Sequence, residues 1–200
     1  VAFGEPGTRW DGHVWLGTGS RVQRRFGAGA VDLDTRGTAT RLDDTWTRYT
    51  AHTTDPDGEV PWEALAGDNI HALTVQGDRV WFGSAEATWN QAALRWDDGG
   101  VAVFDGETWT ARTVANTKVG ERAGLRHGSV SSLAVGCDGE LWIGTGNGWS
   151  FWGAGIDVLT PDPTLHALAG DRWEAHGYPQ LAGANTTDIA VDCARRQVWV

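Results

Sequence analysis

Four stretches of this 200-residue chain can be laid on one another: Asp11-Gly-His-Val-Trp-Leu-Gly-Thr18, Gly77-Asp-Arg-Val-Trp-Phe-Gly-Ser84, Asp138-Gly-Glu-Leu-Trp-Ile-Gly-Thr145 and Arg195-Arg-Gln-Val-Trp-Val200. A repeat of this kind restricts the architecture more than any composition does, because each unit must bury a face against its neighbours. A second register lies between the first: Asp44-Thr-Trp-Thr-Arg-Tyr49, Glu107-Thr-Trp-Thr-Ala-Arg112 and Asp171-Arg-Trp-Glu-Ala-His176. A third precedes each Trp-Gly segment: Asn69-Ile-His-Ala-Leu-Thr-Val75, Ser129-Val-Ser-Ser-Leu-Ala-Val135 and Asn185-Thr-Thr-Asp-Ile-Ala-Val191. A looser fourth register aligns Val31-Asp-Leu33, Leu94-Arg-Trp96 and Ile156-Asp-Val158.

Each segment alternates apolar and polar residues over a strand's length and is bounded by Gly or Asp, as half-buried strands are. No window sustains a helical period. The unit is therefore four strands in up-and-down order, a to d, with strand c of the second unit expected around residues 94–104. Four-stranded units repeated radially make a β-propeller. The chain is expected to be all-β, with roughly three and a half blades of a propeller of about six to eight. The approximate repeats run over 1–68, 69–128, 129–184 and an incomplete 185–200. These units are longer than the ~40–50 residues of common propeller repeats, which predicts long loops or an extra hairpin around strand c. Of the 13 tryptophans, seven sit at repeat positions, so their expected task is core packing, with those of strand b filling the gaps between blades. The glycine after the strand-b tryptophan is expected to admit a close neighbour.

The stretch Cys137-Asp-Gly-Glu-Leu-Trp-Ile-Gly-Thr-Gly-Asn-Gly148, led by Ser129-Val-Ser-Ser-Leu133, resembles the repeat of the two-component regulator propellers. The other copies resemble it at the level of the repeat; Ser84 stands where the family has Thr. The resemblance implies an extracytoplasmic sensor propeller, periplasmic or extracellular in a bacterium, linked to a histidine kinase outside this stretch. It also implies a carbohydrate or similar small ligand.

The chain carries 16 Lys and Arg against 26 Asp and Glu, a net charge of -10. That field repels polyanions, so nucleic acid is not an expected partner. No stretch reaches the ~18–20 apolar residues of a membrane span, and no leader is visible. No cofactor and no metal site are expected: Thr54-Asp-Pro-Asp-Gly-Glu59 lacks the further ligands of a calcium loop. The two cysteines, Cys137 and Cys193, fall in equivalent a–b turns of successive blades. Such turns are expected to stand too far apart for a disulfide's ~5.5 Å Cα separation, leaving the thiols free or paired elsewhere.

Strand order places the short a–b and c–d turns on one face and the long b–c and d–a loops on the other. Binding groups concentrate on loops held by a rigid scaffold, so the loop-rich face is the candidate site. It carries Trp89 and Asn90 on one b–c loop and Asn147, Trp149 and Trp152 on the next, indoles beside amides that suit a sugar face. Asn69, Ser129 and Asn185 stand where strand a enters the innermost position and could ring the channel mouth. Asp188 is the one charge in the strand-a set, opposite Ala72 and Ser132. The bland reading makes these aromatics blade caps and the polar residues partners of loop backbone. No nucleophile elbow, zinc motif or phosphate loop is present, so no catalytic residue is expected. A secreted lyase or glycan-cleaving propeller and a protein–protein scaffold remain as alternatives.

Overall fold

Alternating side chains give each repeat segment two faces, one for each neighbouring sheet. A computed structural model describes residues 1–19, 29–51, 65–85, 88–90, 95–97, 99–118, 124–146, 154–177, 180–181, 183 and 185–200. Blade 1 is a four-stranded antiparallel sheet of β1 (Ala2–Phe3), β2 (His13–Thr18), β3 (Gly29–Asp34) and β4 (Thr45–Tyr49) in that order. Blade 2 begins with β5 (Ile70–Gln76) and β6 (Arg79–Ser84), then a separate hairpin of β7 (Thr88–Asn90) and β8 (Arg95–Asp97), then β9 (Gly100–Phe104) and β10 (Trp109–Arg112). One helical turn, α1 (Val114–Thr117), follows, capped by Thr113 and Asn116. Blade 3 is β11 (Val130–Val135), β12 (Leu141–Thr145), β13 (Ile156–Thr160) and β14 (Arg172–His176). A two-stranded sheet, β15 (Ala190–Asp192) and β16 (Gln197–Trp199), starts the next repeat. Within each blade the strands are sequential neighbours, with strand a at one edge. These are the blades of a β-propeller.

Three of the four strand-b tryptophans fill the gaps between blades, as expected, whereas Trp199 and the strand-d Trp46 are exposed. Trp15 is fully buried with Ile70, Val80 and Phe82 of blade 2, and Trp81 with Val130, Leu141 and Ile143 of blade 3. Trp142 packs beside Ile156, Ile189 and Val198. Truncating a buried indole of this kind costs about 3–5 kcal/mol. The glycine two residues on makes room for the next blade. A Cβ on Gly17 would stand 2.6 Å from Ile70 Cγ2, one on Gly83 2.5 Å from Val130 Cγ1, and one on Gly144 2.7 Å from Thr186 Cγ2. Ile70, Val130 and Thr186 are themselves equivalent, each the second residue of its strand-a segment.

The Thr or Ser that ends the motif has its own partner. Thr18, Ser84 and Thr145 donate their hydroxyls to the carbonyls of Gly29, Gly100 and Gly155 at 2.8, 3.2 and 3.0 Å. Those glycines open strand c at φ of 83°, 141° and 89°. Side chains there would strike the carbonyls of Tyr49, Arg112 and His176, so only glycine fits. Ser84 keeps the bond because the hydroxyl is all the joint requires.

Two expectations are corrected. Leu94-Arg-Trp96 is not strand c: Arg95–Asp97 belongs to the extra hairpin, and strand c of blade 2 is Gly100–Phe104, with Val103 opposite Trp81. In the same registers Asp32 lies opposite Trp15 and Val158 opposite Trp142, so Asp32 and Asp157 are one residue out of step and not equivalent. The cysteines are not apart: Cys137 and Cys193 form a disulfide with Cα atoms 5.3 Å apart. Strand a is the innermost strand, so its turns lie where the blades converge, and equivalent turns meet.

The other a–b turns join in the same way. Arg9 N–H donates to Asp78 at 2.8 Å, Gln76 Nε2 donates to the Gly139 carbonyl at 2.9 Å, and Arg196 pairs with Asp138 at 3.2 Å. Together with the disulfide these contacts run through the a–b turns of all four repeats.

Candidate functional site

The inner strands have one edge paired to strand b and the other edge unpaired by any described strand. Between them lies a cavity of about 310 Å3, at the small end of ligand sites. Its wall comes from three repeats: His71, Ala72 and Leu73 of β5, Ser131, Ser132 and Leu133 of β11, and Thr187 and Asp188 ahead of β15, with Val1 alongside. Free strand edges carry amide N–H and carbonyl groups, so the backbone itself makes much of this wall polar.

A repeated irregularity shapes it. In β5 the register steps from Ile70 opposite Ser84 to Ala72 opposite Gly83, which leaves His71 as an extra residue. In β11 Val130 and Ser132 face Thr145 and Gly144, which leaves Ser131 extra. These are β-bulges, which bend a strand and re-aim a side chain. Ser131 Oγ donates to the Gly144 carbonyl at 3.1 Å and also to that of Thr186. Bulge and cavity both fall in the first half of strand a, next to the loop-rich face.

Asp188 is exposed and lines the cavity, and its Oδ1 accepts the Ile189 N–H at 2.9 Å. The equivalent Ala72 and Ser132 are buried small residues at the joints with the next blades. Ser132 Oγ has no hydrogen-bond partner among the described residues.

Asn69, Ser129 and Asn185 occupy equivalent entrances to strand a but do not form an open ring. Asn69 and Ser129 are buried, whereas Asn185 is exposed. The Asn69 and Ser129 carbonyls accept the N–H groups of Ala85 and Gly146, the residues that follow strand b, at 2.8 and 2.9 Å. A Cβ on Gly19 would meet Asn69 Oδ1 and one on Gly146 would meet Asn185 Oδ1. Where Ala85 replaces that glycine, the shorter Ser129 replaces the asparagine.

Trp89 and Asn90 lie on β7, paired across the hairpin with Trp96 and Arg95. Asn147, Trp149 and Trp152 lie outside the described residues, as does Thr54–Glu59. The structure thus brings Asp188 to the cavity, and adds His71, Ser131 and Thr187. These three align at one repeat position, and that alignment was the available signal.

Ionised groups concentrate at the blade joints. Arg112 is fully buried, bonded through Nε and Nη2 to Asp171 at 2.7 and 3.1 Å and through Nη2 to the Leu165 carbonyl at 2.7 Å. Arg126, on the d–a connection, bonds the buried Asp157 and the carbonyls of Ile156 and His176. Burial pushes the Asp157 carboxyl up, against the pull of Arg126. Burial likewise raises Asp32 despite its 2.9 Å bond to His13. Burial, helped by Asp32, pushes the Tyr49 hydroxyl up to about 12. At the c–d edge His166 links Thr110, at 2.5 Å, to Asp105, at 3.1 Å. This chain of bonds ties blade 3 to blade 2. No group of metal-binding residues occurs among the described residues, and no helix there is long and apolar enough to cross a membrane.

No protein-family model matches the chain, and no curated protein does. Among solved structures it is similar to the extracellular domain of BT4673 from B. thetaiotaomicron, described as a one component system in one structure and as a hybrid two component system in another. These matches have TM-scores of 0.46, identities of 15% and 14%, and cover 92% of this chain and 18% of that one. It is also similar to PorZ, a bacterial surface component of the type-IX secretion system of Porphyromonas gingivalis, at a TM-score of 0.37 and 16% identity, over 96% of this chain and 29% of PorZ. The chain therefore spans less than a fifth of the BT4673 chains and under a third of PorZ.

Proposed function

We propose that this chain is the ligand-binding part of an extracytoplasmic sensor propeller, and that it holds a small carbohydrate or similar polyol where three inner strands converge. The observation that carries this reading is the ~310 Å3 cavity with its bulged, polar, three-repeat wall. A sugar offers many hydroxyls, and unpaired strand edges with Thr187 and Asp188 offer matching donors and acceptors, while Ser131 Oγ, whose proton goes to the Gly144 and Thr186 carbonyls, is left as an acceptor. Leu73 and Leu133 supply apolar wall for a ring face. The Cys137–Cys193 disulfide supports an oxidising compartment. The kinase partner expected from the repeat's resemblance would lie outside this chain.

The test is calorimetric titration of the 200-residue chain with glucose, N-acetylglucosamine and maltose, repeated on two variants. Thr187→Trp fills the cavity from an exposed position and should abolish binding, whereas Trp89→Ala should leave it intact. If no sugar binds at millimolar concentration, the reading fails. If Trp89→Ala abolishes binding and Thr187→Trp does not, the site is the β7–β8 hairpin.

A further inference from the structure

We infer that the joint between blade 1 and blade 2 holds one structural water molecule, which accepts the indole N–H groups of Trp10 and Trp15 and donates to the Asp32 carboxylate. All three residues are buried where blade 2 covers blade 1. The inference is independent of the cavity reading.

The strand-b tryptophans differ in one respect. Trp81 Nε1 donates to Gln76 Oε1 and Trp142 Nε1 to Glu140 Oε1, each at 2.9 Å. Trp15 is their equivalent in blade 1, and its Nε1 has no hydrogen-bond partner among the described residues. His13 stands in the place of Glu140, two residues before the tryptophan, but its ring is engaged by Asp32: Nδ1 lies 2.9 and 3.0 Å from the two carboxylate oxygens. Trp10 meets the ring of Trp15 at 5.1 Å and that of His13 at 5.4 Å, both edge to face. Its Nε1 is likewise without a partner among the described residues. A buried donor left unpaired costs about 1–3 kcal/mol, and here two stand side by side.

Asp32 is the complementary departure from the repeat. It faces Trp15 across β2 and β3, where Val103 faces Trp81 and Val158 faces Trp142. A carboxylate has about four acceptor positions, and His13 brings a single N–H to them. Two donors lacking acceptors beside an acceptor with capacity to spare make the partner set of one water, which typically forms about three hydrogen bonds to such groups. The rival arrangement directs each indole N–H onto the face of a neighbouring ring.

Two measurements on the 200-residue chain separate these arrangements. A crystal structure that shows ordered solvent should place a water within hydrogen-bond reach of Trp10 Nε1, Trp15 Nε1 and Asp32. In solution, the indole protons of Trp10 and Trp15 should give NOE cross-peaks to a long-lived water, and those of Trp81 and Trp142 should not. Trp10→Phe and Trp15→Phe assign the signals. His13→Glu with Asp32→Val copies blade 3, gives Trp15 a protein acceptor and should abolish its water cross-peak. A joint without water, indole protons shifted upfield as over a ring face, or a Trp15 water cross-peak that survives the double variant each overturns the inference. The unmodified chain decides the point even where a variant does not fold.

Discussion

The Arg112 guanidinium lies over the Trp81 ring, 5.5 Å from its centroid. Tyr49 stacks on Trp15 at 5.8 Å in the same repeat position, and His176 on Trp142 at 5.8 Å. Strand d therefore presents a flat side chain to the strand-b tryptophan of its own blade, and three residue types satisfy that one need. The need is shape and a π face, not charge.

Arg112 carries an additional obligation that Tyr49 and His176 lack. It is paired in the interior with Asp171. Removing one partner leaves a buried charge alone, so Arg112→Ala should cost about 3–5 kcal/mol in chemical denaturation. Replacing both, as Arg112→Tyr with Asp171→Asn, should recover most of that loss, because Tyr already serves in blade 1. Equal loss in the single and double variants would mean the ion pair itself holds blades 2 and 3 together.

The Gly83 and Val130 pair is a steric lock between blades. Gly83→Ala brings a methyl to 2.5 Å from Val130 Cγ1, and such overpacking costs about 1–3 kcal/mol. Val130→Ala alone opens a cavity. The double variant should be more stable than the sum of the two losses, a coupling that denaturation midpoints reveal. Strict additivity would show that the strand shifts away instead.

Thr145 tests the strand-c joint. Thr145→Val keeps the shape but removes the hydroxyl that donates to Gly155 and accepts the Ala154 N–H at 3.0 Å. A loss of about 1 kcal/mol follows from the half-buried Ala154 N–H left without its acceptor; the Gly155 carbonyl keeps the Thr145 N–H and the Thr186 hydroxyl. Thr145→Ser should be nearly silent, since Ser84 fills the same place. A large loss in the Ser variant would assign the effect to the methyl group.

Acid stability has a worked sign. Burial pushes Asp105 and Glu140 up, but hydrogen bonds outweigh it and hold both below their usual values. Asp105 takes backbone N–H groups of Thr108 and Glu107; Glu140 takes the Trp142 indole N–H. Hydrogen bonds from Thr164 and Arg195 lower Asp162 and Asp192. A depressed carboxyl binds its proton less well folded than unfolded. Its contribution is therefore present above the unfolded value, 3.8 for Asp and 4.5 for Glu, and is lost as pH falls. Asp32 and Asp157, raised by burial, act oppositely and lose stability as pH rises above 3.8. The urea midpoint should fall between pH 5 and pH 3, and Glu140→Gln should make that fall shallower. An unchanged slope in Glu140→Gln would remove Glu140 from the account.

The blade order and the positions of most repeat tryptophans were legible because period-two alternation and turn residues are local signals, whereas the extra length in blade 2 left long loops and an extra hairpin both open. Strand c of blade 2 was misplaced because Arg95-Trp-Asp97 carries the same local alternation as a true strand. Only the glycine demanded by the Arg112 carbonyl marks Gly100–Phe104 as the real one. The roles of Asn69 and Ser129 depend on how closely Gly19, Ala85 and Gly146 approach them, a distance between blades that no single segment encodes. Asp188 was visible as an odd charge in an aligned column, whereas the cavity beside it comes from bulges at His71 and Ser131, which alignment alone does not show.

The disulfide is not legible in the sequence because repeat equivalence does not encode how the spacing between blades changes with distance from the axis. Spacing between blades shrinks toward the axis, and the a–b turns lie there. The bond closes a 56-residue separation, for which the loop-entropy account gives about 4 kcal/mol. Its local effect should be larger than its global one. The β15–β16 sheet has two strands, which is marginal by itself, and it is held to blade 3 by the disulfide, the Asp138–Arg196 pair and packing of Ile189 and Val198. Replacing both cysteines by serine should speed amide exchange across residues 190–199 first, while β11–β14 keep their protection. Because Thr187 and Asp188 immediately precede β15, any sugar affinity of the cavity should weaken in the same variant. Uniform loss of protection through all blades would show instead that the bond stabilises the chain only through its unfolded state.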